Sequence, residues 1–274
     1  MPSFARSLGP SDTVSENDSS LLVGLLGAGT LVGSLAQGPI SDWFGRKIAM
    51  LIWAAVFTIG ALVQTTFETS LAQIVIGRFI AGMGVGALSG LCPLYLGETA
   101  PAKIRGAIVS CYQLNIIFGI CVSYAITWAT STRGEDLTTS LGWRIPIGMQ
   151  LLWGVLLFGC MLLIPESPRW YLMKNRPDDA RRVMAGMRAV ELRPDGTSAT
   201  EQLRGDAALE SDLRDMDEGI RAEQAAFAGT NWFTAWAVLF GRQQKMWYRT
   251  ILGMMLMFFQ QLNGQNFLYY FGVS

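Results

Sequence analysis

Gln260, Gln261, Asn263, Gln265 and Asn266 fall within seven consecutive positions of FFQQLNGQNFLYY (Phe258–Tyr270). They stand in an apolar run that opens near Ile251. A carboxamide buried in hydrocarbon is costly unless it finds a partner. Five of them together point to a water-filled cavity and a ligand rich in hydrogen-bond donors and acceptors. A sugar is that kind of ligand. Asn266 lies five and six residues beyond Gln261 and Gln260. At roughly 100° per residue this puts it about 120–140° around the helix from each of them, so regular geometry supports a shared face only in part. Gly264 lets the helix loosen at that point.

The elements that would position these amides read as membrane spans. Apolar runs occur at Leu21–Ser41, Ile48–Phe67, Leu71–Gly97, Gly106–Thr130, Ile145–Ile164 and from Ile251 onward. Each is near or above the roughly 20 residues a helix needs to cross a bilayer. The chain of 274 residues is 51% hydrophobic and 15% charged, against about 25% charged in soluble domains. The expected fold is therefore all-α, a polytopic membrane helix bundle with the lipid bilayer as its surroundings.

Composition also excludes several classes of function. The 21 basic and 21 acidic residues cancel, so no nucleic-acid partner is implied. No Gly-x-x-x-x-Gly-Lys-Ser/Thr loop is present to hold a nucleotide. Cys92, Cys111, Cys121 and Cys160 lie in apolar runs without metal-ligand spacing, and the chain has no histidine. No nucleophile–base or metal constellation appears, so neither an enzyme nor a cofactor is expected. The first 20 residues are polar and lack the basic and apolar stretches of a cleaved signal.

Four segments follow: an external polar segment 1–20, five spans within 21–164, a polar segment 165–249, and a last span 250–274. The 165–249 segment holds 13 of the 21 Lys and Arg. Pro177 followed by two aspartates predicts a helix start there, and residues 196–227 predict an amphipathic helix. Trp232, Trp236 and Trp247 are expected near the membrane interface or on helix ends. With Arg46, Lys47, Lys103 and Arg105 in short loops on the same side, 17 of the 21 cations share one face. That face is expected to be cytoplasmic, which leaves both termini outside. Arg78, inside an apolar run, is expected to be capped or paired near the outer end of its helix.

GPISDWFGRK (Gly38–Lys47) joins the first two runs. Glycines 38 and 45 suit close helix approach and a sharp turn. In the third run Gly82, Gly84, Gly86 and Gly90 are expected to thin one helix face for a neighbour. The spacing Gly-x-x-x-Asp-x-x-Gly-Arg-Lys resembles the loop between helices 2 and 3 of the major facilitator superfamily. PLYLGE (Pro93–Glu98) with Arg105-Gly106, PESPRWYL (Pro165–Leu172) and QQLNGQN resemble, in order, three signatures of its sugar porter family. GWRIPIG (Gly142–Gly148) and GQNFLYYFG look most like fungal hexose transporters.

The resemblance implies helices 2 to 7 of a twelve-helix fold, with 165–249 as the helical segment between the two halves. On that basis the chain is expected to be a fragment. The implied activity is transport of a monosaccharide such as glucose by alternating access at the plasma membrane. Facilitated diffusion leads, since no carboxylate sits at mid-membrane depth. A non-transporting sugar sensor and an inactive truncation product are the alternatives. Residue by residue, Gln113 matches the helix 5 glutamine that meets sugar hydroxyls, and Gln260, Gln261 and Asn266 match the helix 7 amides. Tyr270 matches the first of two gating tyrosines, the second being Phe271 here. Asp42, Arg46, Glu98, Arg105, Glu166 and Arg169 match a cytoplasmic salt-bridge network that holds the outward-facing state.

Overall fold

The computed structural model describes residues 16–66, 71–101, 104–133, 141–189, 199–227 and 246–262. Nine helices run through them: α1 (Glu16–Phe44), α2 (Arg46–Thr65), α3 (Leu71–Thr99), α4 (Arg105–Arg133), α5 (Leu141–Leu163), α6 (Pro168–Met173), α7 (Pro177–Ala189), α8 (Ala199–Phe227) and α9 (Met246–Leu262). Helices α1 to α5 are each long and apolar enough to cross a membrane. The sixth expected span begins in α9 and continues outside the described residues. The contacts divide the chain into two compact units, Met1–Leu213 and Arg214–Ser274.

In the first unit α3 is the central helix, packed on α1 and α2, while α5 packs on α2. Glycine sets how closely these backbones approach. A Cβ on Gly82 or Gly86 would run into main-chain atoms of Leu26 or Thr30 in α1, and a Cβ on Gly84 would meet Phe57 in α2. Gly29 and Gly33 of α1 answer with the same closeness to Phe79 and Met83 of α3. The sequence suggested one thinned face on α3, but the glycines serve two. Residues 82, 86 and 90 recur every four positions toward α1, and Gly84 faces another way because two residues turn a helix by about 200°. Gly38 has no neighbour within 4 Å of its Cβ position, so no close approach occurs there.

The core of this unit joins Met50 and Trp53 of α2, Leu88, Leu91 and Tyr95 of α3, and Met161 of α5. At the far end of α2, Gln64 is buried and its amide donates to Gly60 O at 3.3 Å and to Gly77 O at 3.2 Å. An amide inside a membrane bundle is thereby satisfied across two helices. Arg78 lies half-buried in α3.

In the described part of the polar segment after α5, helices start where the sequence signals predict. Ser167 is extended (φ −66°, ψ 129°) and Pro168 opens α6 as its first residue. Asn175 takes the left-handed conformation at φ 56° and ends that short helix. Pro177, Asp178 and Asp179 open α7, where acids complement the helix dipole. Arg181 Nε reaches Glu210 Oε1 of α8 at 3.1 Å. In the second unit, Ile220 of α8 is buried, and Trp247 at the start of α9 is exposed. Trp232 and Trp236 lie outside the described residues.

Candidate functional site

A cluster of charged side chains sits where α1 ends, α2 begins, α3 ends and α6 begins. The chain turns from α1 into α2 at Gly45, whose φ of +99° favours glycine. That turn swings Arg46 inward. Its side chain is 5% exposed, beside a Glu98 side chain 4% exposed. Arg46 Nη2 donates to Glu98 Oε1 at 3.0 Å and Nε donates to Glu98 Oε2 at 3.1 Å. This is the two-pronged guanidinium–carboxylate arrangement, stronger and more directional than a lysine contact. Arg46 Nη1 donates to Ser41 O and to Asp42 Oδ1, both at 3.1 Å. Glu98 is completed by Ser167, whose hydroxyl donates to Oε2 at 2.6 Å.

Glu166 is buried but does not use the Arg46 side chain in these contacts. Its Oε1 accepts from the backbone N–H of Arg46 at 2.8 Å, of Lys47 at 3.0 Å and of Ser167 at 2.9 Å. Tyr95 OH donates to Pro165 O at 2.9 Å, which ties the end of α3 to the same strand of chain. Trp170 Nε1 donates to Asp42 O at 3.3 Å. Removing one member of such a set leaves a buried charge without compensation, which costs more than the pair itself contributes.

Four of the six charges expected as a network therefore meet here: Asp42, Arg46, Glu98 and Glu166. Asp42 is the outer member, its side chain 57% exposed. Arg105 opens α4 and is exposed, and it makes no ion pair among the described residues. Arg169 lies half-buried in α6. Sequence reasoning missed Ser167 and Ser41. A serine ahead of a proline signals a helix start, but its true acceptor is 69 residues away, beyond the reach of any local pattern.

The expected ligand amides lie elsewhere. Gln113 is exposed on α4. Between α4 and α5 is a cavity of about 430 Å³, lined by Asn115, Ser123, Thr127, Gln150 and Trp153 among others, and Gln113 is not one of them. Two positions separate Gln113 from Asn115, so it stands on the other side of α4. Gln260 and Gln261 are in the last turn of α9, in the second unit. Asn266 and Tyr270 lie outside the described residues.

A family model described as sugar (and other) transporter matches residues 1–274. The chain belongs to that family. The chain is 36% identical over 254 residues to the high-affinity glucose transporter ght2 of Schizosaccharomyces pombe, covering 93% of itself and 44% of that protein. It is 35% identical over 256 residues to the high-affinity fructose transporter ght6 of the same yeast, again covering 93% and 44%. It thus spans less than half the length of these curated relatives. Among solved structures, the proton:xylose symporter XylE of the major facilitator superfamily, bound to 6-bromo-6-deoxy-D-glucose, superposes with a TM-score of 0.72. Identity there is 24%, and the match covers 98% of this chain and 56% of that one. The partially occluded inward-open form of XylE from E. coli gives 0.67 at 23% identity. Those likenesses show the fold, an all-helical membrane bundle. The family is one of transporters rather than of enzymes, and its members are integral membrane proteins.

Proposed function

We propose that this chain forms part of a transporter that moves a monosaccharide across the plasma membrane by alternating access, without chemistry on the substrate. The observation that carries the reading is Gln113, an exposed uncharged amide on a 29-residue helix long and apolar enough to cross a membrane. A polar group in that setting marks a water-filled path or an interhelical partner. Family membership favours the path. In this reading Gln113, Gln260, Gln261 and Asn266 hydrogen-bond sugar hydroxyls, and Tyr270 closes over the sugar from outside. Residues 165–249 lie in the cytoplasm, so the Arg46–Glu98 cluster sits at the cytoplasmic ends of α1, α2 and α3. There Asp42, Arg46, Glu98, Arg105, Glu166 and Arg169 help hold the outward-facing state. Transport is facilitated diffusion. The two yeast relatives carry names for different sugars at nearly equal identity, so hexose is the class and glucose the first substrate to test.

The test uses a chimera in which these 274 residues replace the matching part of the S. pombe glucose transporter, in a yeast lacking hexose uptake. Labelled glucose should enter the cells. Gln113→Ala and Gln261→Ala should each lower uptake roughly tenfold or more, since an unpaired buried hydroxyl costs about 1–3 kcal/mol. Chimera uptake unaffected by both substitutions would sink the assignment of the site.

A further inference from the structure

Two helices in the first unit each lack a local partner for their dipole. Helix α2 begins after Gly45, which offers no side-chain cap, and its first turn holds no acid. That turn instead carries Arg46 and Lys47, cations at the positive end of the helix dipole. Helix α5 has no basic residue in its last turn. Each helix finds the missing group on the other side of the joint. Glu166, 120 residues from Arg46, places Oε1 on the first two N–H groups of α2. Lys47 Nζ reaches back and donates to Leu162 O in the last turn of α5 at 2.9 Å.

Gly45 completes the arrangement. A Cβ there would collide with the Glu166 carboxylate. A residue with a capping side chain is excluded by the very group that does the capping. We infer that Glu166 and Lys47 form a crossed pair of helix caps, fastening the end of α5 to the start of α2. Both are positioning residues, and Glu166 acts on main-chain N–H groups rather than as a salt-bridge partner of Arg46. The clasp fixes the direction in which the chain leaves the membrane bundle for α6 and α7. The inference stands independently of what is transported, because every contact in it lies within one compact unit.

Residue-resolved hydrogen exchange on the chain in lipid nanodiscs tests it. In Glu166→Ala the amides of Arg46 and Lys47 should exchange roughly tenfold faster, the scale of one lost cap. In Glu166→Gln, which keeps an oxygen acceptor at the same place, most of the protection should remain. Glu98→Gln should leave these two amides unchanged. Lys47→Met should speed their exchange by a few fold, and Lys47→Arg should restore it. Should Glu166→Ala fail to accumulate, the comparison of Glu166→Gln with Glu98→Gln decides. Equal acceleration in those two would mean that charge rather than the acceptor matters, and would overturn the inference. So would amides of residues 46 and 47 that ignore Lys47→Met.

Discussion

Helices α3 and α4 have the same length, 29 residues, and their most apolar stretches differ little in mean hydropathy, 1.7 against 1.6. Their places in the first unit differ completely. In α3, 44% of that stretch is buried, and in α4 none is. Apolar content governs entry into the membrane. It does not say whether a helix will face protein or lipid, because lipid tails are as apolar as leucine. The burial of α3 comes from small residues and from polar partners. Glycines 82, 84 and 86 bring backbones of α1 and α2 against α3, and Glu98 at its end receives the Arg46 fork. Helix α4 carries Gly106 and Gly119 with nothing near their Cβ positions, and its Gln113 stays exposed.

Three paired substitutions would break or sharpen this contrast, each read as loss of stability in mixed-micelle unfolding. The largest effect is expected from charge. Arg46→Ala strands Glu98 of α3 in a buried setting and should cost about 3–5 kcal/mol. Arg105→Ala, at the exposed start of α4, should change stability by no more than about 0.5 kcal/mol. Losses of equal size would show the Arg46 cluster to be solvated in the membrane-embedded protein.

Packing comes next. Gly86→Leu must push α1 away from α3 and should cost about 3 kcal/mol, at the upper end for overpacking. Gly119→Leu meets open space and should lie within about 0.5 kcal/mol of the parent. If Gly86→Leu were silent, the close approach of α1 and α3 would be wrong.

The smallest effect separates two amides. Gln64→Leu removes a buried link between α2 and α3 and should cost about 0.6–1.7 kcal/mol, as interhelical hydrogen bonds in membranes do. Gln113→Leu breaks no such link and should be neutral or slightly stabilising, while uptake by the chimera collapses. A Gln113 variant that lost stability and kept uptake would turn this residue from a ligand group into an ordinary packing amide.

Much of the architecture was legible in the sequence because its signals are local. Five apolar runs gave five spans whose ends differ from the helices by a few residues. Pro177 with Asp178 and Asp179 marked the start of α7, and Gly45 marked the turn before α2. The candidate site was legible only in part. Asp42, Arg46, Glu98 and Glu166 could be picked out by their motifs, but not their partners. Nothing near Glu166 says that its carboxylate ends on the main chain of α2.

The sequence by itself determined membrane residence, five of the six expected spans and the family, because bilayer thickness, turn geometry and motif spacing act over a few residues to a few tens of residues. Tertiary structure alone decided which glycine faces which helix, why Arg46 and Glu98 are buried while Arg105 is not, and that Glu166 and Lys47 cap each other's helices. Those outcomes depend on groups from 27 residues apart, as for Gly84 and Phe57, to 120 apart, as for Arg46 and Glu166. A hydrogen bond is set by distance and angle in space, and chain order carries neither.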